Sequence, residues 1–411
     1  MTERRCRFCD TALEHGFVDL GSTPLANSFL TAEQLEQPEP SYPLRASVCG
    51  QCWLVQADAF VSAEEIFSDY AYFSSISDSW VEHARRYATM TRERFGLDQT
   101  SQVIEVASND GYLLKHFVAM GVPVLGIEPA ENVAQVARAI GVPTEARFFG
   151  RDTAANLVAR GLAGDLVIGN NVLAHVPDIN DFVGGLAAVI KPGGVVSLEF
   201  PHLLRLIEGA QFDTVYHEHF YYLSLLAVEN IFAAHGLVVF DVEELETHGG
   251  SLRVFARRAA AVRDRVMPGV DKIRRDEAVA GFDHVTVYKA FQERVAPIRE
   301  GLLAFLQQAK VDGKTVAAYG AAAKGNTLLN FCGIDIGLID YVVDRSPAKQ
   351  GLFLPGSRLP ILPPEKIFET RPDYLLILPW NIREEVVAIN RGIADWGGRF
   401  VVAVPELMVF G

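Results

Sequence analysis

The sequence predicts an α/β protein: a central parallel sheet wound with helices, a cysteine-bearing module before it and a smaller α/β lobe after it. Three observations carry this. From about residue 102 to 200, strand-like apolar runs alternate with helix-like segments, the pattern of a parallel sheet covered on both faces. A second pattern of the same kind starts near residue 312. Four of the five cysteines form two Cys-x-x-Cys pairs near the N-terminus. The expected divisions are 1–75, 76–300 and 301–411.

In the first module, Cys6 and Cys9 stand in RRCRFCD, and Cys49 and Cys52 in SVCGQCW. Two-residue spacing lets both thiolates of a pair face one point, and two pairs make a tetrahedral sulfur set suited to Zn2+. The interval between the pairs is longer than in common zinc ribbons, so a loop must separate the knuckles. The competing reading is two disulfides or four unrelated thiols. No apolar leader opens the chain, so a cytoplasmic, reducing location is expected, where disulfides do not persist. A site closed by four thiolates has no place for water, so this metal is expected to fold the module rather than do chemistry. Cys332 reads as a small hydrophobe.

The central elements follow in order. WVEHARRYATMTRERFGL has helical spacing. QVIEVAS, VPVLGIEP, DLVIGNNVLA and GVVSLEF read as strands, and GYLLKHFVAM, ENVAQVARAIG and DFVGGLAAVI as helices. VPTEARFF is a strand or a loop. VVFDVEELETHGGSLRVFARR reads as a hairpin between the lobes, and HVTVYKAFQERVAPIREGLLAFLQQAK as one long linking helix. GKTVAAYG, LIDYVVD, YLLILPW and RFVVAVPE supply four strands of the last lobe. No apolar run reaches the length of a membrane span. A net charge of −14 makes a poor non-specific nucleic-acid binder.

The first strand ends Glu105-Val-Ala-Ser108-Asn109-Asp-Gly111, a turn that lets backbone N–H groups approach a ligand. The second ends at Glu128, placed to accept hydrogen bonds from two ribose hydroxyls. NAD-binding and S-adenosylmethionine-binding folds share this pairing. The turn is not Gly-x-Gly-x-x-Gly, which weakens the dinucleotide reading. Phe148 and Phe149 can flank an adenine or simply pack in the core. Lys191-Pro-Gly-Gly194 is a turn much used by methyltransferases of this topology. Together these favour S-adenosylmethionine and a class I methyltransferase core of Rossmann type.

The chain resembles the nucleotide-sugar C-methyltransferases of antibiotic deoxysugar pathways nearly end to end. The match includes the four cysteines, DYAYFSSIS, EVASNDGYLL, NNVLAHVPDINDF, EFPHLL, YHEHFYYLS, THGGSLRV and YGAAAKGNTLLN. The resemblance implies a zinc-binding N-terminal domain, a central S-adenosylmethionine domain with Asn170 among its cofactor contacts, and a C-terminal lobe that helps hold a TDP-sugar. Ala107 departs from it, standing where glycine is expected.

The implied substrate is a TDP-4-keto-6-deoxysugar. Its C4 ketone acidifies the C3 hydrogen; a base takes that proton and the enolate carbon attacks the sulfonium methyl. The chemistry needs a base, a donor to the enolate oxygen and an aligned methyl group. The resemblance makes His219 the base, in keeping with a near-neutral histidine. Tyr216 is the candidate donor, and Glu218 orients it or holds sugar hydroxyls. A structural polar turn is the competing reading, stronger for His217 than for His219. His-Glu-His is not a zinc-protease motif, which spaces its histidines one helical turn apart. The resemblance also places His175 near the sugar and Tyr70 and Tyr72 in a segment over it, with Tyr70 preferred. His248 and Lys324 are candidates for the diphosphate. Two other readings compete: a bifunctional enzyme that also reduces the ketone with NADPH, and a non-catalytic zinc-dependent binding protein. Methylation of oxygen or nitrogen is a weaker third. The lack of a dinucleotide fingerprint disfavours the first, and the set Glu128, His175, Tyr216 and His219 the second. A monomer is expected.

Overall fold

The computed structural model describes residues 4–61, 73–261 and 266–411. The N-terminal module is a small antiparallel sheet of β1 (His15–Thr23), β2 (Tyr42–Val48) and β3 (Val55–Ala57). Its alternating positions Phe17, Leu44, Ala46 and Val55 face inward and are buried, as expected of a half-covered sheet.

The central sheet contains β4 (Val103–Val106), β5 (Val124–Ile127), β6 (Thr144–Glu145), β7 (Gly164–Asn170) and β8 (Ile190–Pro201), all parallel. These strands are nearly continuous apolar runs because helices cover both faces. The sheet order places β4 between β5 and β7, so the crossovers diverge there and leave a crevice at the strand C-ends. The Lys191–Gly194 turn lies within β8 as an irregularity opposite Gly164–Leu166, rather than before it. Helix Arg151–Ala159 went unread in the sequence; its weakly amphipathic face buries only Ala154 and Leu157.

A two-residue strand, β9 (Tyr221–Tyr222), leaves the central domain and joins the N-terminal sheet, pairing with β3. The expected hairpin is β10 (Leu237–Leu245) with β11 (Ser251–Arg258). It is not a separate bridge between lobes: β11 pairs antiparallel with β8 and extends the central sheet. The expected single linking helix is two, Val285–Lys289 and Phe291–Val311. The second runs across the expected 300/301 division.

The C-terminal lobe has β12 (Val316–Tyr319), β13 (Val342–Val343), β14 (Ile361–Leu362), β15 (Tyr374–Ile377), β16 (Arg399–Val402) and β17 (Met408–Phe410). Order β14-β13-β12-β15-β16-β17 adds two short edge strands to the four expected. The lobe sits against the rest of the chain through polar ties. Trp380 Nε1 donates to Asp213 Oδ2 at 2.7 Å, and Asn326 Nδ2 donates to Ala26 O at 2.6 Å. One apolar core, including Phe17, Phe212, Phe291, Leu328 and Leu376, runs from the first module into this lobe.

Candidate active site and metal centre

The thiols of Cys6, Cys9, Cys49 and Cys52 converge, all within 4.8 Å of one another. Cys6 and Cys52 sulfurs lie 3.6 Å apart, and Cys9 and Cys49 sulfurs 3.5 Å. A tetrahedron with Zn–S bonds of about 2.3 Å has edges of about 3.8 Å, whereas a disulfide needs about 2.05 Å. All five cysteines are free thiols. Gln56 Nε2 donates to Cys6 Sγ at 3.2 Å and Gln51 N to Cys49 Sγ at 3.4 Å, as suits thiolates that need charge stabilised from a second layer. The donor set fits a structural Zn2+.

A cavity of about 1510 Å³ opens at the C-ends of β4, β5 and β7 and reaches the C-terminal lobe. On the β4–β5 side, Glu128 is buried and already holds the turn: Asn109 N donates to its Oε2 at 2.9 Å and Ala130 N to its Oε1 at 3.0 Å. Burial pushes its carboxyl above the ordinary range, and the two N–H donors oppose that. Asn109 takes a left-handed φ of 49° and accepts from Ser74 N at 2.9 Å. Ala107, at φ 51°, lines the cavity with its methyl group, so the substitution for glycine leaves the turn conformation in place at a cost of about 1 kcal/mol.

Glu105, Ser108 and Gly111 do not line the cavity; they sit behind its wall and shape it. Ser108 packs against β5, where a Cβ on Gly126 would meet its Oγ at 2.4 Å. Gly111 supplies φ 79° beside Val142. Glu105 is sealed inside, and burial raises its carboxyl far above the usual range. Phe148 and Phe149 both line the cavity. The first is half exposed, and the second packs edge-on against Phe182 with ring centres 5.6 Å apart. Asn170 also lines it, and its buried Oδ1 has no hydrogen-bond partner among the described residues. An unpaired buried acceptor is costly, and the ammonium of a methionine moiety would satisfy it. These residues fit S-adenosylmethionine.

On the opposite side, the loop before β9 turns two polar side chains into the cavity. His219 Nδ1 bonds Thr214 O at 2.8 Å; a carbonyl only accepts, so Nδ1 carries the proton and Nε2 is the lone-pair nitrogen. Tyr216 Oη donates to that Nε2 at 2.8 Å. His175 is fixed in the same way, its Nδ1 donating to Glu218 O at 2.9 Å, and its ring stands edge-on to His219 with centres 4.6 Å apart. Burial holds His219 well below the usual histidine range, and the adjacent His175 adds to the effect; burial brings His175 down to about 4. Both rings are therefore neutral at physiological pH. Glu218 accepts from Asn27 Nδ2 at 2.5 Å, and burial raises its carboxyl to about 7. His217 faces away, bonded to Pro43 O at 3.3 Å and packed on Tyr42. Tyr70 and Tyr72 lie outside the described residues.

The far wall holds His248 and Lys324. His248 takes φ 54°, accepts from Asn171 Nδ2 at 3.1 Å, and is lowered to about 4 by burial. Lys324 donates to Asn381 Oδ1 at 2.8 Å and sits over the Trp380 ring at 5.0 Å. Burial lowers its pKa.

Sequence reading missed Glu199, which is fully buried at the end of β8. Its Oε2 meets His83 Nε2 at 3.0 Å and Arg253 Nη2 at 3.0 Å, and its Oε1 accepts from Thr247 Oγ1 at 3.0 Å. An acid closing a buried strand at the ligand edge was the available signal. Glu199 stands behind the cavity wall and holds the lining residues His83, Thr247 and Arg253, whereas Asn27 and Lys349 line the cavity themselves, and nothing in their local sequence marks them. In the turn after β12, Ala321 N donates to Asp344 Oδ2 at 2.8 Å and a Cβ on Gly320 would meet Pro379 Cδ at 2.6 Å, while Ala322, Ala323 and Lys324 line the cavity. None of this supports the NADPH reading.

Residues 6–67 match the family described as a zinc binding domain, 80–242 a methyltransferase domain, and 246–405 a C-methyltransferase C-terminal domain. C-methyltransferase NovU of Streptomyces niveus is 37% identical over 401 residues, covering 98% of this chain and 95% of its own. A ubiquinone biosynthesis O-methyltransferase of Rhizobium etli (strain CIAT 652) is 30% identical over 113 residues, 25% of this chain and 44% of its own. A solved magnesium protoporphyrin IX methyltransferase from Synechocystis PCC 6803 is 14% identical, covering 49% of this chain and 99% of its own, with a TM-score of 0.36; that likeness is too weak to inform the site. Among the described residues no helix is long and apolar enough to cross a membrane. The four-thiol centre, the methyltransferase core with its acid-anchored turn, and a relative aligned over almost the whole length agree: the chain belongs to the zinc-binding, S-adenosylmethionine-dependent C-methyltransferase family that includes NovU.

Proposed function

We propose that this enzyme methylates C3 of a TDP-4-keto-6-deoxysugar, in deoxysugar biosynthesis for an antibiotic, and that it works in the cytoplasm. The observation that carries the reading is the Tyr216–His219 pair, a phenol on the lone-pair nitrogen of a neutral imidazole, beside the cofactor turn in one cavity.

S-adenosylmethionine, when bound, supplies the electrophilic methyl group. Glu128, Asn109 and Asn170 hold it, and Phe148 and Phe149 flank its adenine. Glu105, Ser108 and Gly111 act through the shape of the turn. Substrate entry parts the tyrosine–histidine pair. As the Tyr216 hydroxyl turns to the C4 oxygen, His219 Nε2 is left facing the C3 hydrogen. One rotation thus sets both the donor and the base. Burial opposes a lone imidazolium, but the proton transfer creates an enolate at the same moment, and the opposite charges offset each other. Thr214 O keeps the imidazole in the needed tautomer. His175 Nε2 and Glu218 contact the sugar, as do Tyr70 and Tyr72, while His248 and Lys324 take the nucleotide diphosphate. The parts serving these roles are residues 1–75, 76–300 and 301–411.

The test is mass spectrometry of a TDP-4-keto-2,6-dideoxyhexose with S-adenosylmethionine in heavy water. Gain of one methyl with loss of the C3 hydrogen is expected, and deuterium at C3 of the recovered substrate when S-adenosylhomocysteine replaces the methyl donor. A methyl on oxygen, or a C3 hydrogen retained in the methylated product, would overturn the enolate route.

A further inference from the structure

Arg7 lies between the two cysteines of the first knuckle. Its main chain is tied to the sulfur cluster through one side chain. Gln56 Oε1 accepts from Arg7 N at 3.0 Å, and Gln56 Nε2 donates to Cys6 Sγ. Its guanidinium extends the other way. Nη2 donates to Phe220 O at 2.8 Å and to Ala57 O at 2.9 Å, and Nε donates to Tyr221 Oη at 3.2 Å. Phe220 directly follows His219. Tyr221 Oη in turn donates to Pro177 O at 3.0 Å, two residues past His175, and Phe220 N donates to Ala174 O at 2.7 Å. Asn180 Nδ2 closes the circuit, donating to Phe8 O at 2.9 Å and Arg7 O at 3.2 Å.

We propose that Arg7 is a positioning residue for methyl transfer: it clasps the loops carrying His175 and His219 to the zinc knuckle, so the metal-bound module sets the geometry of the base. The proposal rests on the proton-transfer role given above to His219. A planar fork of donors is what three acceptors divided between two segments, Ala57 and Phe220–Tyr221, require; a lysine ammonium can supply charge but not that geometry. β9 is only two residues long, so its pairing with β3 alone is a weak anchor. The metal thereby acts on catalysis without touching substrate.

The test uses the full-length zinc-loaded protein with Arg7→Met and Arg7→Lys. Metal content, S-adenosylmethionine Kd, kcat and KM for the TDP-4-keto-2,6-dideoxyhexose, and hydrogen–deuterium exchange over 172–178 and 214–223 are measured. Expected are full zinc content, an unchanged Kd, faster exchange in both peptides, and kcat down about 10- to 100-fold with a much smaller change in KM. Arg7→Lys should fall between wild type and Arg7→Met. Unchanged exchange in both peptides, or wild-type kcat despite faster exchange, would overturn the clasp. So would zinc loss from both variants with exchange rising across the whole N-terminal sheet, since that is a folding role only. If the wild type leaves this sugar untouched, the substrate assignment fails, while the exchange measurements still decide the clasp.

Discussion

Replacing Glu128 by alanine tests the cofactor site most directly. The carboxylate is 4% exposed, and each oxygen accepts one backbone N–H. Each oxygen retains a second acceptor direction, one for each ribose hydroxyl. Hydrogen bonds to a charged acceptor contribute about 1.5 kcal/mol each at the low end of their range. Losing two removes about 3 kcal/mol, which weakens Kd by about 150-fold. Glu128→Gln keeps the volume but turns an amide N–H2 toward a backbone N–H, so it should lose about tenfold. Calorimetric titration with S-adenosylmethionine at neutral pH reads both. A dissociation constant within about threefold of wild type in Glu128→Ala would refute the ribose assignment. The pH dependence has a definite sign. Burial, the largest cause, raises this carboxyl above 4.5. As pH falls through that raised value the acceptor charge is lost, so wild-type affinity should decline in a window beginning above 4.5. The Glu128→Gln affinity should stay flat there.

Three further outcomes are expected. His219→Asn should lower kcat by about 1000-fold and leave the cofactor Kd unchanged; wild-type turnover would remove His219 from the mechanism. The histidine is held well below 6.5 by burial, so kcat/KM should show no acid limb at 6.5, and one there that vanishes in His219→Asn would contradict that environment. Ala107→Gly relieves a left-handed alanine at φ 51°. The gain is offset in part by glycine's entropy in the unfolded chain, so stability in urea should rise by about 0.5 kcal/mol, and a loss would show the strain argument wrong. Cys6→Ser should reduce bound zinc and lower Tm. A variant with full metal content and unchanged stability would end the four-thiolate assignment.

The regular elements were legible where a short pattern decides them. Strands β4, β5 and β7 are apolar runs closed by turn residues, and their burial on both faces makes the run continuous. Helix Arg151–Ala159 was not legible, because its amphipathic signal is thin and only two of its residues reach the core. The hairpin was read correctly as a hairpin, but its partner was not. Pairing of β11 with β8 is a choice between sheets, and local sequence does not encode it.

For the site, the sequence by itself determined the ligand chemistry that comes from closely spaced residues. Two Cys-x-x-Cys knuckles specify a sulfur cage, and Glu128 after the second strand specifies an acceptor beside the turn. Four-residue proximity made Tyr216 and His219 visible as a pair. Only the tertiary structure decided what each group is. The His219 tautomer follows from Thr214 O, its neutrality from burial beside His175, and the high carboxyl pKa of Glu218 from burial, which the hydrogen bond from Asn27 of the first module opposes. It also decided that Glu105 and Ser108 stand behind the wall, and that Arg7 reaches from the zinc knuckle to the catalytic loops. The physical reason is common to all of these. Protonation state and hydrogen-bond partner are set by what is excluded and what is brought close, and residues far apart along the chain do both.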